Sequence, residues 1–172
     1  MFWADARRLQ GVALEIGGLR TNIRDEADVR DGFQALIKAG AAVAGVVIEG
    51  VRVERQVTGL EMIVGAVRDA TFGPTVLVGL GGIFTEAFDD VVVAPAPVSR
   101  SDALRMFSRL RGRGVMSSKR GGPEPDIDSL ASVVVRIGEI LANSNLEEIE
   151  INPLVWTGSS WAALDALVRG ST

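Results

Sequence analysis

Three oxygen-bearing side chains near the end of the chain are spaced as the ligands of a cation would be. Glu150 and Asn152 lie in an alternating apolar–polar stretch typical of a strand, and Asp165 lies in the stretch that returns after a turn at residues 157–160. A hairpin would bring these side chains to one end of a sheet. Carboxylate and amide oxygens are the donors that magnesium prefers, with waters or phosphate oxygens completing its shell. An ordinary surface hairpin would show the same spacing, so both interpretations stay open at this point.

The absence of three residue types excludes several kinds of catalytic and metal site. The chain contains no histidine, cysteine or tyrosine. This excludes a Ser-His-Asp triad, a thiolate nucleophile, a disulfide and a His or Cys metal site within these residues. Carboxylates, arginine, lysine, hydroxyls and backbone amides remain. Phosphoryl transfer can use such groups with a metal ion, because positioning and charge neutralisation provide most of the catalysis there.

Composition indicates a globular enzyme domain. The 172 residues are 47% hydrophobic and 23% charged, which suits a single domain over residues 1–172. The net charge is −4 and no five like charges are consecutive, so we expect neither a nucleic-acid nor a membrane partner. The longest apolar run, near residues 39–48, is too short to span a bilayer, and no signal-peptide pattern opens the sequence. We therefore expect a cytoplasmic protein.

Hydrophobic spacing predicts an α+β fold, with a mainly antiparallel sheet and helices packed on it. Helices are expected over residues 25–39, after Ser99 and after Asp126 or Asp128, and strands over residues 11–16, 43–49, 62–67 and 75–78. Either Asn22 or Asp25 would cap the first helix, and Gly40 would end it. Pro153 has no N–H to donate and is predicted to end the first strand of the hairpin. Residues 111–125 are predicted to form a mobile loop.

A cluster of glycines follows the strand predicted at residues 75–78. Gly79, Gly81 and Gly82 would permit positive φ angles and a close approach of backbone N–H groups to an anion. A tight turn explains the same residues. The segment is not a P-loop, because no Gly-Lys-Ser/Thr follows.

Three blocks in order resemble the ATP-grasp domain of the NDP-forming acyl-CoA synthetases. This family includes the beta part of ADP-forming acetyl-CoA synthetases and the succinyl-CoA synthetase beta subunit. Residues 59–86 resemble the run G-x-E-x-x-x-G-x-x-x-D-x-x-F-G-P…G-x-G-G-x-x-x-E, and residues 120–126 resemble R-G-x-x-x-x-D. Residues 151–154 with 164–165 resemble the I-N-P-L and L-D of the metal-binding hairpin. The resemblance implies the C-terminal subdomain of an ATP-grasp fold, with residues 1–10 a remnant of the N-terminal subdomain.

The family resemblance also implies ligands and site residues. ATP or GTP and Mg²⁺ are the expected ligands, and Glu61 would face the ribose and the metal. Glu49 would lie at the hinge that reads the adenine edge. The implied nucleotide site comprises Glu49, Glu61, Gly79, Gly81, Gly82 and Glu86, and the implied metal site comprises Asn152, Asp165 and Glu150.

Departures from the family pattern argue against turnover by the chain alone. Asp5 stands at the position of the family's phosphohistidine, Ala6 at that of a lysine, and Ala94 at that of an arginine. We therefore expect part of an acid–thiol ligase that needs a CoA-ligase-type partner subunit, or that self-associates through apolar residues 2–3 and 43–48. The alternative is a non-catalytic or degenerate ATP-grasp remnant that acts as a binding or interaction module.

Overall fold

A computed structural model of the chain describes residues 2–4, 17–44, 48, 50–81, 90–117 and 123–171. Backbone contacts divide the chain into two compact units, Met1–Val57 and Thr58–Thr172. Within these described ranges, no helix is both long enough and apolar enough to cross a membrane. The single-domain expectation and the assignment of residues 1–10 as a remnant stay predictions.

In its described residues, the first unit combines one long helix with three short antiparallel strands. The strands β1 (Phe2–Ala4), β2 (Leu19–Arg20) and β3 (Val51–Val53) lie in the order β2-β1-β3, and α1 spans Glu26–Ala41. Of the two candidate caps, Asp25 is the one that accepts the Asp28 N–H. The helix continues one residue past Gly40, the predicted end. The predicted strands at residues 11–16 and 43–49 lie wholly or largely outside the described residues.

The second unit is built on an antiparallel sheet whose described part has six strands. They are β4 (Leu60–Asp69), β5 (Gly73–Leu80), β6 (Val91–Pro95), β7 (Leu146–Trp156), β8 (Trp161–Ala163) and β9 (Ala166–Gly170). The order is β6-β5-β4-β7-β8, and β9 pairs with β7 on the same edge as β8. The described part of the unit also has helices α2 (Arg100–Arg109) and α3 (Ile127–Ala142) and a 3₁₀ helix (Arg113–Met116). The predicted α+β class with a mainly antiparallel sheet is confirmed.

One face of this sheet packs against α2 and α3. Alternate residues of β4 and β5 are buried there, as expected for strands with one covered face: Met62, Val64, Ala66, Val76, Val78 and Leu80. The helices contribute a matching apolar set: Met106, Phe107, Leu130, Val134, Ile137 and Leu141. The candidate site lies on the opposite face of the sheet.

Local capping predictions are confirmed in this unit. Ser99 and Asp102 form a reciprocal capping box at the start of α2. Asp126 rather than Asp128 caps α3, accepting the Ser129 N–H. Arg113–Met116 form the 3₁₀ helix inside the predicted loop 111–125, and residues 118–122 lie outside the described part. The mobility of that loop stays a prediction.

Pro153 does not end its strand, contrary to the prediction. β7 continues to Trp156, and the register against β4 shifts between the pairs Met62↔Leu154 and Val64↔Ile151. One residue on β4, Ile63, therefore faces two on β7, Asn152 and Pro153, which is a β-bulge. A proline is tolerated inside a strand at a bulge, because the ladder hydrogen bond is already interrupted there.

Candidate functional site

The predicted acids of β4 and β7 point away from the helices. Met62 is buried in the core under the helices, so its neighbour Glu61 lies on the opposite face of the sheet. Ile149 is likewise buried, and the alternation along β7 places Glu150 and Asn152 on that same opposite face. These three polar residues therefore share a face that also carries the buried side chains of Ile63 and Val155.

The hairpin holds Asp165 beside Asn152. The Asn152 N–H donates to the Asp165 carbonyl at 3.1 Å, and the Leu164 N–H donates to the Pro153 carbonyl at 3.0 Å. The Asn152 side-chain NH₂ donates to the Glu150 carboxylate at 3.1 Å, which leaves the Asn152 amide oxygen out of that bond. The Asp165 carboxylate accepts the Ala166 N–H at 2.9 Å. The structure therefore brings the three predicted metal ligands to neighbouring positions at the bulge.

The chemistry of these donors fits a hard cation. Two carboxylates and one amide oxygen are the ligand types that Mg²⁺ takes from proteins. Across the described residues, no three Asp, Glu, His or Cys side chains are grouped so that they could hold a metal ion by themselves. A magnesium ion bound here would keep several positions for water or phosphate oxygens, as is usual for this ion in phosphoryl-transfer sites.

Glu61 and Gly81 contact each other directly. The Gly81 N–H donates to the Glu61 carbonyl at 2.7 Å. A Cβ atom added at Gly81 would lie 2.7 Å from the Glu61 Cβ and 2.9 Å from its carbonyl carbon. The close approach requires glycine here, so the structure supports a packing role for Gly81.

Gly79 lies inside β5 and not in a turn. It pairs with Ile63 of β4 and Val91 of β6, and a Cβ there would lie 3.2 Å from the Asp90 carbonyl oxygen. Its nucleotide-binding role stays a prediction. The other predicted residues Asp5, Glu49, Gly82 and Glu86 lie outside the described residues.

Sequence reasoning missed a buried carboxylate at the start of β6. Asp90 is 6% exposed and accepts the backbone N–H groups of Arg111 and Gly112 at 2.9 and 2.8 Å. It therefore ties β6 to the segment between α2 and the 3₁₀ helix. The available signal was the acid immediately before three consecutive valines, Val91–Val93, a pattern typical of a strand start.

Two tryptophans of the hairpin hold the segment that leads into α3. Trp156 and Trp161 lie with ring centroids 5.5 Å apart. Their indole N–H groups donate to the carbonyls of Pro123 and Asp126 at 3.2 and 2.7 Å. The backbone N–H of Ser129 holds the pKa of the capping Asp126 carboxyl below its ordinary value. The arginine- and glycine-rich loop is thereby attached at its C-terminal end to the hairpin that carries Asn152.

The sequence profile of the ATP-grasp domain matches residues 13–169. The chain belongs to the ATP-grasp family. This ATP-grasp domain is 35% identical over 159 residues to the beta subunit of ADP-forming acetate–CoA ligase I of Pyrococcus furiosus, covering 88% of this chain and 67% of that subunit. It is 30% identical to the ADP-forming acetate–CoA ligase I of Archaeoglobus fulgidus, of which it covers 22%. The ATP-grasp chain thus spans about two-thirds of one relative and about a fifth of the other.

Solved structures of an acetyl-coenzyme A synthetase are also similar to this chain. The dinucleotide-forming acetyl-coenzyme A synthetase 1 of Ca. Korarchaeum cryptofilum, in complex with coenzyme A, Ca-AMPCP and HgCl⁺, superposes with a TM-score of 0.83 at 28% identity. That match covers 99% of this ATP-grasp domain and 75% of the other chain. A second structure of this synthetase contains coenzyme A and Mg-AMPPCP, with the phosphohistidine segment pointing towards the nucleotide binding site. It superposes with a TM-score of 0.75 at 30% identity, and the match covers 92% of this chain and 70% of that chain. The predicted C-terminal ATP-grasp architecture is confirmed.

Proposed function

We propose that this chain is the magnesium-nucleotide-binding part of an NDP-forming acid–thiol ligase. The observation that carries the proposal is the sheet face opposite α2 and α3, where Glu61, Glu150 and Asn152 share one side and Asp165 is hydrogen-bonded beside Asn152. Oxygen donors grouped on one sheet face suit a metal-bound nucleotide. The binding of Ca-AMPCP and Mg-AMPPCP by the Korarchaeum synthetase supports ATP or GTP with Mg²⁺ as the ligands here.

Turnover requires a second chain on this proposal. The phosphoryl group must reach a histidine and then an acyl substrate and CoA, yet the chain has no histidine and Asp5 stands where the family has one. A CoA-ligase-type partner subunit would supply both, in keeping with the subunit nature of the Pyrococcus relative. Val29, Phe33 and Val53 are 37%, 44% and 64% exposed, which supports partner binding or self-association through the first unit. The proposed compartment is the cytoplasm.

Calorimetry tests the proposed binding of magnesium and nucleotide. We expect heat on titration of Mg-ATP or Mg-GTP, and little heat with Mg²⁺ alone, because the protein donors complete only part of the shell. Asn152→Ala combined with Asp165→Ala should abolish the signal, while Asn143→Ala, at the far end of α3, should leave it intact. Equal binding by the double variant would contradict the metal assignment.

A coupled assay tests the ligase part. The chain with acetate, CoA, ATP and magnesium should give no acyl-CoA, and addition of a histidine-bearing CoA-binding subunit from a related ligase should restore ADP formation. Production of ADP and acyl-CoA by the chain alone would contradict the need for a partner.

A second candidate function is a non-catalytic binding module. Ala94, at the position of a family arginine, favours it, since removal of one charged contact from such a site typically costs about a hundredfold or more in rate. Nucleotide binding without turnover in any partner combination would support this candidate. Restored turnover with a partner would exclude it.

A further inference from the structure

The strand β9, at the edge of the sheet in the second unit, carries exposed apolar side chains on both of its faces. Leu167 pairs with Glu150 and lies on the face of the candidate site. Val168 pairs with the buried Ile149 and lies on the face that packs against the helices. Leu167 is 51% exposed and Val168 is 61% exposed. Monomeric proteins usually protect such an edge, because it can pair with a strand of another chain.

The hydrogen bonds of the hairpin show which backbone groups of β9 point away from β7. Before β9, the Asn152 N–H donates to the Asp165 carbonyl at 3.1 Å. After β9, the Ser171 N–H donates to the Asn145 carbonyl at 3.1 Å. Adjacent residues of a strand direct their backbone groups to opposite edges, so the odd-numbered residues of 165–171 face β7. The residues that face outward are the three between them: Ala166, Val168 and Gly170.

One of these outward donors is already bonded within the chain. The Ala166 N–H donates to the Asp165 carboxylate at 2.9 Å. In the described part of the sheet, no strand pairs with the outer edge of β9. The N–H and C=O groups of Val168 and Gly170 are therefore the ones through which this edge can accept a further strand. The open edge is centred on Val168.

We propose that β9 pairs with β9 of a second copy of this chain, in an antiparallel arrangement about a two-fold axis at Val168. In this register Val168 lies opposite Val168 of the second copy, and the two residues exchange N–H to C=O hydrogen bonds in both directions. Gly170 lies opposite Ala166 of the second copy, whose carbonyl is free to accept the Gly170 N–H. The loss of the Ala166 N–H to Asp165 therefore does not prevent this pairing.

The side chains of β9 favour a second copy as the occupant of this edge. Arg169 is the only charged residue of β9, and it forms an ion pair with Glu148 at 3.0 Å. In the two-fold register Arg169 lies opposite Leu167 of the second copy, so no like charges meet across the edge. On the other face, two Val168 side chains meet. A two-fold contact uses the same edge of both copies, so it forms a closed dimer and not a filament.

Sedimentation equilibrium and hydrogen exchange of the full chain test this pairing. The paired segment is short, so we expect a weak dimer, with a weight-average mass that rises towards twice the monomer value between about 1 µM and about 1 mM. At the higher concentration, exchange should slow more at the amides of Val168 and Gly170 than at those of Leu167 and Arg169, which already face β7. A monomer at every concentration would overturn the proposal, as would a dimer without this extra protection of Val168 and Gly170.

Charged substitutions at position 168 test the two-fold register. Val168→Lys would place two ammonium groups opposite each other and Val168→Glu two carboxylates, so each variant alone should be monomeric. An equimolar mixture of the two variants should form dimers again, because opposite charges then meet across the edge. Near-ultraviolet dichroism checks that both variants are folded. A mixture of folded variants that stays monomeric would overturn the register at Val168.

Two control variants separate this edge from other surfaces. Val93→Lys changes an exposed residue of β6, at the opposite edge of the sheet, and Phe33→Lys changes an exposed residue of α1 in the first unit. Both should dimerise as the wild type does. Loss of association in Val93→Lys would indicate pairing of β9 with β6 and overturn the two-fold contact. Loss in Phe33→Lys, with both Val168 variants still associating, would assign self-association to the first unit instead. None of these measurements uses a nucleotide, so their outcome is independent of the proposed function.

Discussion

Gly81 shows how a single residue determines the approach of two strands at the candidate site. Gly81→Ala would place a methyl group 2.7 Å from the Glu61 Cβ, and two backbones would have to separate. We expect a loss of about 1–3 kcal/mol in the free energy of unfolding, as for other overpacked positions, and weaker nucleotide binding because Glu61 moves. Urea titration with calorimetry measures both effects.

The matched control for this prediction is Gly114. No atom lies within 4 Å of a Cβ built there, so Gly114→Ala should change stability by less than about 1 kcal/mol. Equal destabilisation by both variants would mean that backbone freedom, and not the contact with Glu61, explains the need for glycine at position 81.

At this scale the sequence predicted how three of the candidate residues are placed relative to one another. The alternation around Glu150 and Asn152 was sufficient to place them on one strand face, and the turn at residues 157–160 was sufficient to return Asp165 to them. Asp90 could not be predicted, because its partners are backbone N–H groups 21 and 22 residues away. No side-chain type marks such an acceptor in a sequence.

At the scale of elements, Arg68 joins the end of α3 to the sheet. Its guanidinium donates to the carbonyls of Leu141, Ser144 and Leu146 at 2.8, 2.9 and 3.3 Å. Arg68→Met keeps the aliphatic stem and removes the guanidinium donors. The three carbonyl groups at this helix end then lose their hydrogen bonds from this side chain. We expect a loss of about 2–3 kcal/mol in the free energy of unfolding by urea.

Arg136 provides the comparison for Arg68. It lies on the exposed face of α3 and pairs with Glu139 at 3.4 Å. Arg136→Met should change stability by less than about 0.5 kcal/mol, as exposed ion pairs do. A similar loss in both variants would show that Arg68 has no special role at this helix end.

Helix caps give the unfolding transition a defined acid dependence. Hydrogen bonds from the Ser99 side chain and backbone hold the pKa of Asp102 below its ordinary value, and the Ser129 backbone N–H does the same for Asp126. A carboxyl with a lowered folded-state pKa stabilises the fold at pH values above about 3.9, its ordinary value. That contribution is lost as the pH falls through the lower, folded-state pKa.

Asp126→Asn tests this dependence, because asparagine caps helices without titrating. The variant should be close to the wild type in stability at pH 7, and the wild type should lose more stability than the variant on acidification to about pH 3. Urea midpoints at the two pH values measure the difference. Parallel losses in both proteins would contradict a role for this carboxylate in the acid dependence.

Long, strongly patterned elements were predictable, and exceptions to the pattern were not. β4 and β5 follow from their apolar density, and α2 follows from its capping box. The bulge at Pro153 was missed because a local rule ends a strand at proline. Pairing with β4 on one side, and with β9 before the proline and β8 after it on the other, continues β7 through the bulge.

At the scale of the whole chain, the second unit contains a large hydrophobic core. Every described member of that core lies between Leu60 and Trp161. We expect residues 58–172 expressed alone to fold with a cooperative thermal transition and near-ultraviolet dichroism from Trp156 and Trp161. A broad transition without near-ultraviolet signal would show that this unit depends on residues 1–57.

The paired indoles of the hairpin have a practical consequence. The chain has three tryptophans. Two of them, Trp156 and Trp161, donate their indole N–H groups to backbone carbonyls of the segment that leads into α3. In a Trp3→Phe protein, all indole emission would originate at that contact. The strand that carries Asn152 thus has a built-in optical reporter, and the emission wavelength would show, without any attached dye, whether the proposed nucleotide binding alters this contact.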